Sequence, residues 1–174
     1  MVGNRNRGLA AVALVAFGGA LLANPATQSF TLTVPSVLSI TAPAGVSQAH
    51  SGQDANQAFA AQSWAVQQNQ ILGATATFAV ATPFVHSTAP LVKRDCKLTL
   101  AIGTSEAPAG WSVTTANDQT NHALLDTVAS VSATSTAAGN ASFNLTVTFI
   151  DEDYSTLATG SYSTTVTGTV AANL

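Results

Sequence analysis

From Phe30 to Ile40 the apolar residues fall on alternate positions, Phe30, Leu32, Val34, Leu38 and Ile40, while Thr, Ser and Pro take most of the places between them. Successive side chains of an extended chain point to opposite sides, so this spacing predicts a strand with one buried face. Residues 143–149 repeat the pattern, with Phe143, Leu145, Val147 and Phe149 on one side and Asn144, Thr146 and Thr148 on the other. The last segment alternates as Tyr162, Thr164, Val166, Gly168 and Val170, rich in the β-branched residues that suit a pleated surface.

The same spacing is weaker at 59–67 (Trp64, Val66), 75–82 (Ala76, Phe78, Val80), 96–102 (Cys96 to Ile102), 111–115 (Trp111, Val113) and 124–133 (Leu124, Val128, Val131). Turn-prone clusters such as Ala42-Pro43-Ala44-Gly45, Thr82-Pro83, Asn117-Asp118 and Gly139-Asn140 separate these runs. Residues 44–58 read as a long polar connection with a helical turn near Phe59, and 131–140 as a Ser/Thr/Ala loop. Seven or eight short strands at this spacing predict an all-β, immunoglobulin-like antiparallel β-sandwich, although the Cys–Trp–Cys pattern of antibody domains is absent.

Arg5 and Arg7 precede an uncharged apolar run, Leu9 to Leu22, that closes on Ala23 before Asn24 and Pro25. A positive start, a short apolar stretch and a small residue at its end read as a secretory signal peptide, residues 1–23, and the run is too short to span a bilayer. The expected mature chain is one domain, residues 24–174, working outside the cytoplasm. It holds a single cysteine, Cys96, so it forms no internal disulfide and relies on its apolar core. Cys96 is buried, reactive or paired with another chain, burial being the ordinary fate of a free cysteine.

Charged residues make up 7% of the sequence, far below the usual quarter, so charge does not keep this surface soluble. Without Arg5 and Arg7 the chain keeps three basic residues, Lys93, Arg94 and Lys97, against eight acidic ones. Nucleic-acid binding is disfavoured for want of a basic stripe, and the three cations read as a solvated loop end.

His50, His86 and His122 have no second ligand at metal spacing, no Gly-x-Ser-x-Gly elbow occurs, and no phosphate-binding glycine loop follows a strand. Asp151-Glu152-Asp153 lacks the calcium-loop pattern and reads as a solvated turn. Neither an enzyme nor a cofactor is expected.

Two segments resemble the ends of fimbrial subunits of the alternate chaperone–usher pilins, and more loosely the spore coat protein U-like secreted domains. The first is Ser29-Phe30-Thr31-Leu32-Thr33-Val34-Pro35 with the strand that follows it. The second is Gly160-Ser161-Tyr162 and the alternating run to Val170. The resemblance implies an incomplete sandwich whose groove accepts the N-terminal strand of the next subunit, with a periplasmic chaperone and an outer-membrane usher as assembly partners. Residues 27–35 would be the donor strand, inserting Phe30, Leu32 and Val34. Tyr162, Val166 and Val170 would lie on the receiving strand.

Two other readings compete: a self-contained secreted module for which 30–40 is its own first strand, and a carbohydrate-binding module presenting Trp64 and Trp111 as stacking platforms. Whether the first strand pairs within its own sheet separates the first of these from the fibre.

Overall fold

Thirteen short strands, all paired antiparallel, build the protein in a computed structural model that describes residues 26–174. The expected signal peptide, residues 1–23, lies outside the described residues. Of the first compact unit, Met1–Thr33, residues 26–33 are described and carry neither helix nor strand. Val34–Leu174 forms the second unit and contains every strand.

One sheet is ordered β1 (Leu38–Thr41), β3 (Gln62–Gln68), β11 (Ala141–Phe149), β7 (Cys96–Ser105), β9 (Asn117–Gln119), with β2 (Gln57–Ala58) continuing the line of β3 along β11. The facing sheet runs β13 (Val166–Ala172), β4 (Ala74–Val80), β10 (Ala129–Thr134), β8 (Ser112–Thr115). A three-stranded sheet of β12 (Tyr162–Ser163), β5 (Phe84–His86) and β6 (Lys93–Arg94) follows where β4 and β13 are each interrupted. The break between β4 and β5 holds Pro83, which has no N–H to give a ladder.

Immunoglobulin constant-type sandwiches order their strands A-B-E-D in one sheet and C-F-G in the other. Taken in chain order, β1, β3, β4, β7, β11 and β13 stand where A to F stand: β1-β3-β11-β7 are neighbours in one sheet, β4 and β13 in the other. No strand among the described residues takes the seventh position, outside β13.

Alternation produces the core. β4 buries Ala74, Ala76, Phe78 and Val80 completely, β7 buries Cys96, Leu98 and Leu100, and β11 buries Phe143, Leu145 and Phe149. Aromatic rings link the layers: Trp64 meets Phe78 edge-on at 5.3 Å, Phe78 lies 5.7 Å from Phe143, and Trp111 meets Phe143 at 5.1 Å. Trp111 also donates Nε1–H to the Gly139 carbonyl at 3.1 Å, so both its ring and its polar edge are satisfied inside. Each fully buried side chain of this size is worth about 1.5–3 kcal/mol over exposure, which is how the fold stands without a disulfide.

Several expectations are corrected. The run from Phe30 to Ile40 is not one strand: only Leu38–Thr41 is paired, because Pro35 interrupts the donor pattern and residues 30–34 meet no partner strand among the described residues. No helical turn forms near Phe59, where β2 and an extended link follow β11 and Phe59 N–H donates to the Val147 carbonyl. Much of the presumed Ser/Thr/Ala loop is strand β10, its small residues packing against β4. Asn117 and Asp118, read as a turn, lie in β9. Lys93 and Arg94 form β6 rather than a loop end, and the Arg94 guanidinium donates to the Thr156 carbonyl and hydroxyl.

Candidate functional site

A half-open cleft of about 940 Å³ lies in the second unit beside β12 and the start of β13. Its floor is made by inward side chains of the first sheet and the break before it, Phe59, Trp64, Leu145, Val147 and Phe149, joined by Phe84 of β5. Residues 42–50 line it on one side and residues 157–166 on the other.

The floor is aromatic. Phe84 and Phe149 meet at 5.1 Å, Phe149 and Tyr162 at 5.4 Å, and Phe59 stacks over Phe84 at 6.1 Å. Phe59, Val147, Tyr162 and Val166 are packed against the core yet only half-buried, whereas equivalent inward positions of β4 are sealed. Beside the cleft the sandwich therefore lacks a layer of cover.

The 157–166 wall is partly paired, the Ala158, Thr159 and Ser161 carbonyls being bonded to the Tyr162 hydroxyl, the His86 ring and the Ser87 N–H, while β12 meets no strand on its outer side among the described residues. β13 bonds to β4 along its full length and, among the described residues, to no strand on its outer side, so that edge keeps free N–H and C=O groups. Residues 42–49 belong to no helix or strand. Beyond Val166 the cleft ends, since Gly168 brings β13 against Trp64 and Ile40 so closely that a Cβ there would lie 2.7 Å from the indole.

His50 anchors the far end of the 42–50 segment. Its ring stacks on Tyr154 at 5.0 Å and meets Phe149 edge-on, and its Nδ1 accepts from the Gly52 N–H at 3.0 Å. Nε2 sits 3.2 Å from Asp151 Oδ2 without the alignment of a hydrogen bond. Asp151 is thus buried, not the solvated turn the sequence suggested, and its N–H donates to Asn56 Oδ1. Asp153 does cap a turn, accepting from Ser155. The pairing of His50 with Asp151 had no signal in the sequence, the two lying a hundred residues apart with no shared spacing.

Of the residues expected at a subunit interface, Phe30, Leu32 and Val34 are exposed at 86%, 89% and 72%. Tyr162 and Val166 line the cleft; Val170 lies on β13 beyond it, packed against the core. Trp64 and Trp111 are each 7% exposed, so the stacking platforms of a carbohydrate-binding module are absent at both positions. Their rings fill the space between the sheets instead.

Cys96 is fully buried, and burial, with the neighbouring Asp95 carboxylate second, pushes its thiol up to about 12, which keeps it protonated and unreactive at neutral pH. Among the described residues no three His, Cys, Asp or Glu side chains gather as a metal site, and no helix is long and apolar enough to cross a membrane. Comparison with protein-family models, curated proteins and solved structures finds no match for the chain.

Proposed function

We propose that the protein is an exported structural subunit of an extracellular fibre, assembled by β-strand addition, in which residues 27–35 of one copy fill the cleft of the next. The observation that carries this reading is the unpaired outer edge of β12, continued to Val166 at the start of β13, beside a half-covered apolar floor. An added strand would pair with that edge through its backbone while alternate side chains cover the floor.

The same chain holds a segment of matching kind. Phe30, Leu32 and Val34 alternate, are exposed, and belong to no ladder among the described residues. At about 3.3 Å per residue, residues 27–34 span roughly 26 Å when extended, long enough to run beside Tyr162–Ser163 and on to Val166. Neither the segment nor the cleft carries the basic charge that would suit an acidic ligand, so apolar contact and backbone pairing are the available chemistry. A periplasmic chaperone holding the cleft and an outer-membrane usher fit the same reading as escorts.

Electron microscopy and light scattering of the exported protein test it against Leu32→Asp. The expected result is polymer from the wild type and a folded monomer from the variant, because an unpaired carboxylate in an apolar floor costs several kcal/mol. A wild type that stays monomeric at high concentration would reject the fibre. The self-contained surface module, favoured by the pairing of Leu38–Thr41 with its own sheet, would then replace it.

A further inference from the structure

Directly after Pro35 the chain is gripped by two side chains of the loop that follows β3. Asn69 Nδ2 donates to the Pro35 carbonyl at 2.8 Å, and its Oδ1 accepts from the Val37 N–H at 2.8 Å. The Asn69 N–H donates in turn to the Val37 carbonyl at 3.2 Å. Gln70 Nε2 reaches Ser36 Oγ at 2.8 Å and the Val37 carbonyl at 3.2 Å.

The Asn69 carboxamide thus does the work of a strand backbone, offering one donor and one acceptor to residues that flank Ser36. It extends the β1–β3 ladder past Leu38↔Gln68, to a proline that cannot itself donate. β1 is only four residues long and lies at the edge of its sheet. Without the grip, a pull on the chain before Pro35 would meet that short ladder directly.

We propose that Asn69 and Gln70 form a mechanical clamp that bears tension entering the domain at Pro35. Its use in the protein rests on the fibre reading, since a partner holding residues 27–34 is what would apply the tension. The five bonds act on three consecutive residues, so they resist together instead of opening one after another.

Single-molecule force measurement on the exported chain tests the clamp, with handles attached at Gln28→Cys and Leu174→Cys; the buried Cys96 thiol does not compete for the handle chemistry. At constant force, Asn69→Ala is expected to release the N-terminal strand roughly tenfold faster than the wild type, as loss of the two side-chain hydrogen bonds to Pro35 and Val37 implies. Asn69→Asp, which keeps the acceptor for Val37, should fall between. Gln67→Ala, an exposed neighbour on β3 that makes no bond to residues 35–37, should behave as wild type.

Release of Asn69→Ala at the wild-type rate overturns the clamp. So does an equal acceleration of global unfolding, followed by Trp111 fluorescence, because that would mark ordinary loss of stability. Polymer formation is scored separately by light scattering: its absence rejects the fibre while leaving the release rates to decide the clamp.

Discussion

Gly168→Ala is the sharpest test of how the sandwich closes above the cleft. Gly168 lies in β13 opposite Phe78 of β4, and an added Cβ would stand 2.7 Å from Trp64 Cζ3 and 2.9 Å from Ile40 Cδ1. Real Cβ atoms do not approach other heavy atoms so closely, so something must move. Ile40 can swing its terminal methyl, but the indole is wedged against Phe78 at 5.3 Å and is 7% exposed. Overpacking of this kind costs about 1–3 kcal/mol, offset by about 0.5–1 kcal/mol from replacing glycine within a strand. A net loss centred on about 1 kcal/mol, within about 0–2.5 kcal/mol, is expected. For a domain of this size a loss of about 1 kcal/mol lowers the melting temperature by about 3 °C. Thermal unfolding followed by tryptophan fluorescence measures it, with Trp64 itself reporting the displaced contact. Gly45→Ala is the control, because nothing lies within 4 Å of its added Cβ and its backbone needs no positive φ; it should be neutral or gain up to about 1 kcal/mol. If Gly168→Ala melts above the wild-type temperature, the close approach of β13 to Trp64 and Ile40 is wrong.

The folded protein should resist iodoacetamide at pH 8.5 and label at Cys96 only after unfolding; rapid labelling of the native state would contradict the buried, protonated thiol. The same group sets a pH dependence: its folded pKa is raised to about 12, so between about pH 9 and 12 the unfolded chain gives up a proton that the native state retains, and stability should fall as pH rises through that window in urea titrations. Leu125 holds φ 64 while 87% exposed, so Leu125→Asn should relieve a left-handed conformation without losing packing and raise stability by up to about 1 kcal/mol, measurable by the denaturant midpoint.

What the sequence made legible was whatever a face-by-face pattern can carry. β4, β7 and β11 follow their apolar periods because both their inward faces and their partners are supplied by the core. The final strand was expected in one piece and is divided between Tyr162–Ser163 and Val166–Ala172, and no residue at the break announces it. β5, β6 and β9 are two or three residues long, too short for any period to rise above chance. No spacing in the sequence points to the cleft. Spacing groups Val147 with Phe149 on one face of β11 but carries no sign that Phe59 and Phe84 join them in the floor of the cleft. The two tryptophans remained ambiguous because an indole suits a core and a sugar equally until the Trp111 bond to Gly139 is seen.

Strand ends of a sheet invite pairing with whatever chain passes, and this protein guards its edges unevenly. β6 carries Lys93 and Arg94, β9 carries Asp118, β1 stops after four residues, and β8 is set off by a register shift at Ser132 and Ala133 of β10. β13 has seven residues, no charge, no proline and an unbroken register with β4. Natural sheets usually blunt such an edge, because left bare it templates aggregation. The consequence is one of timing during biosynthesis: from the moment it folds, the chain is sticky along one side, and crowding before anything covers that edge should convert it into disordered clumps. Yield should therefore fall steeply with expression level, and a companion that covers β13 early should restore it more than any change to the core.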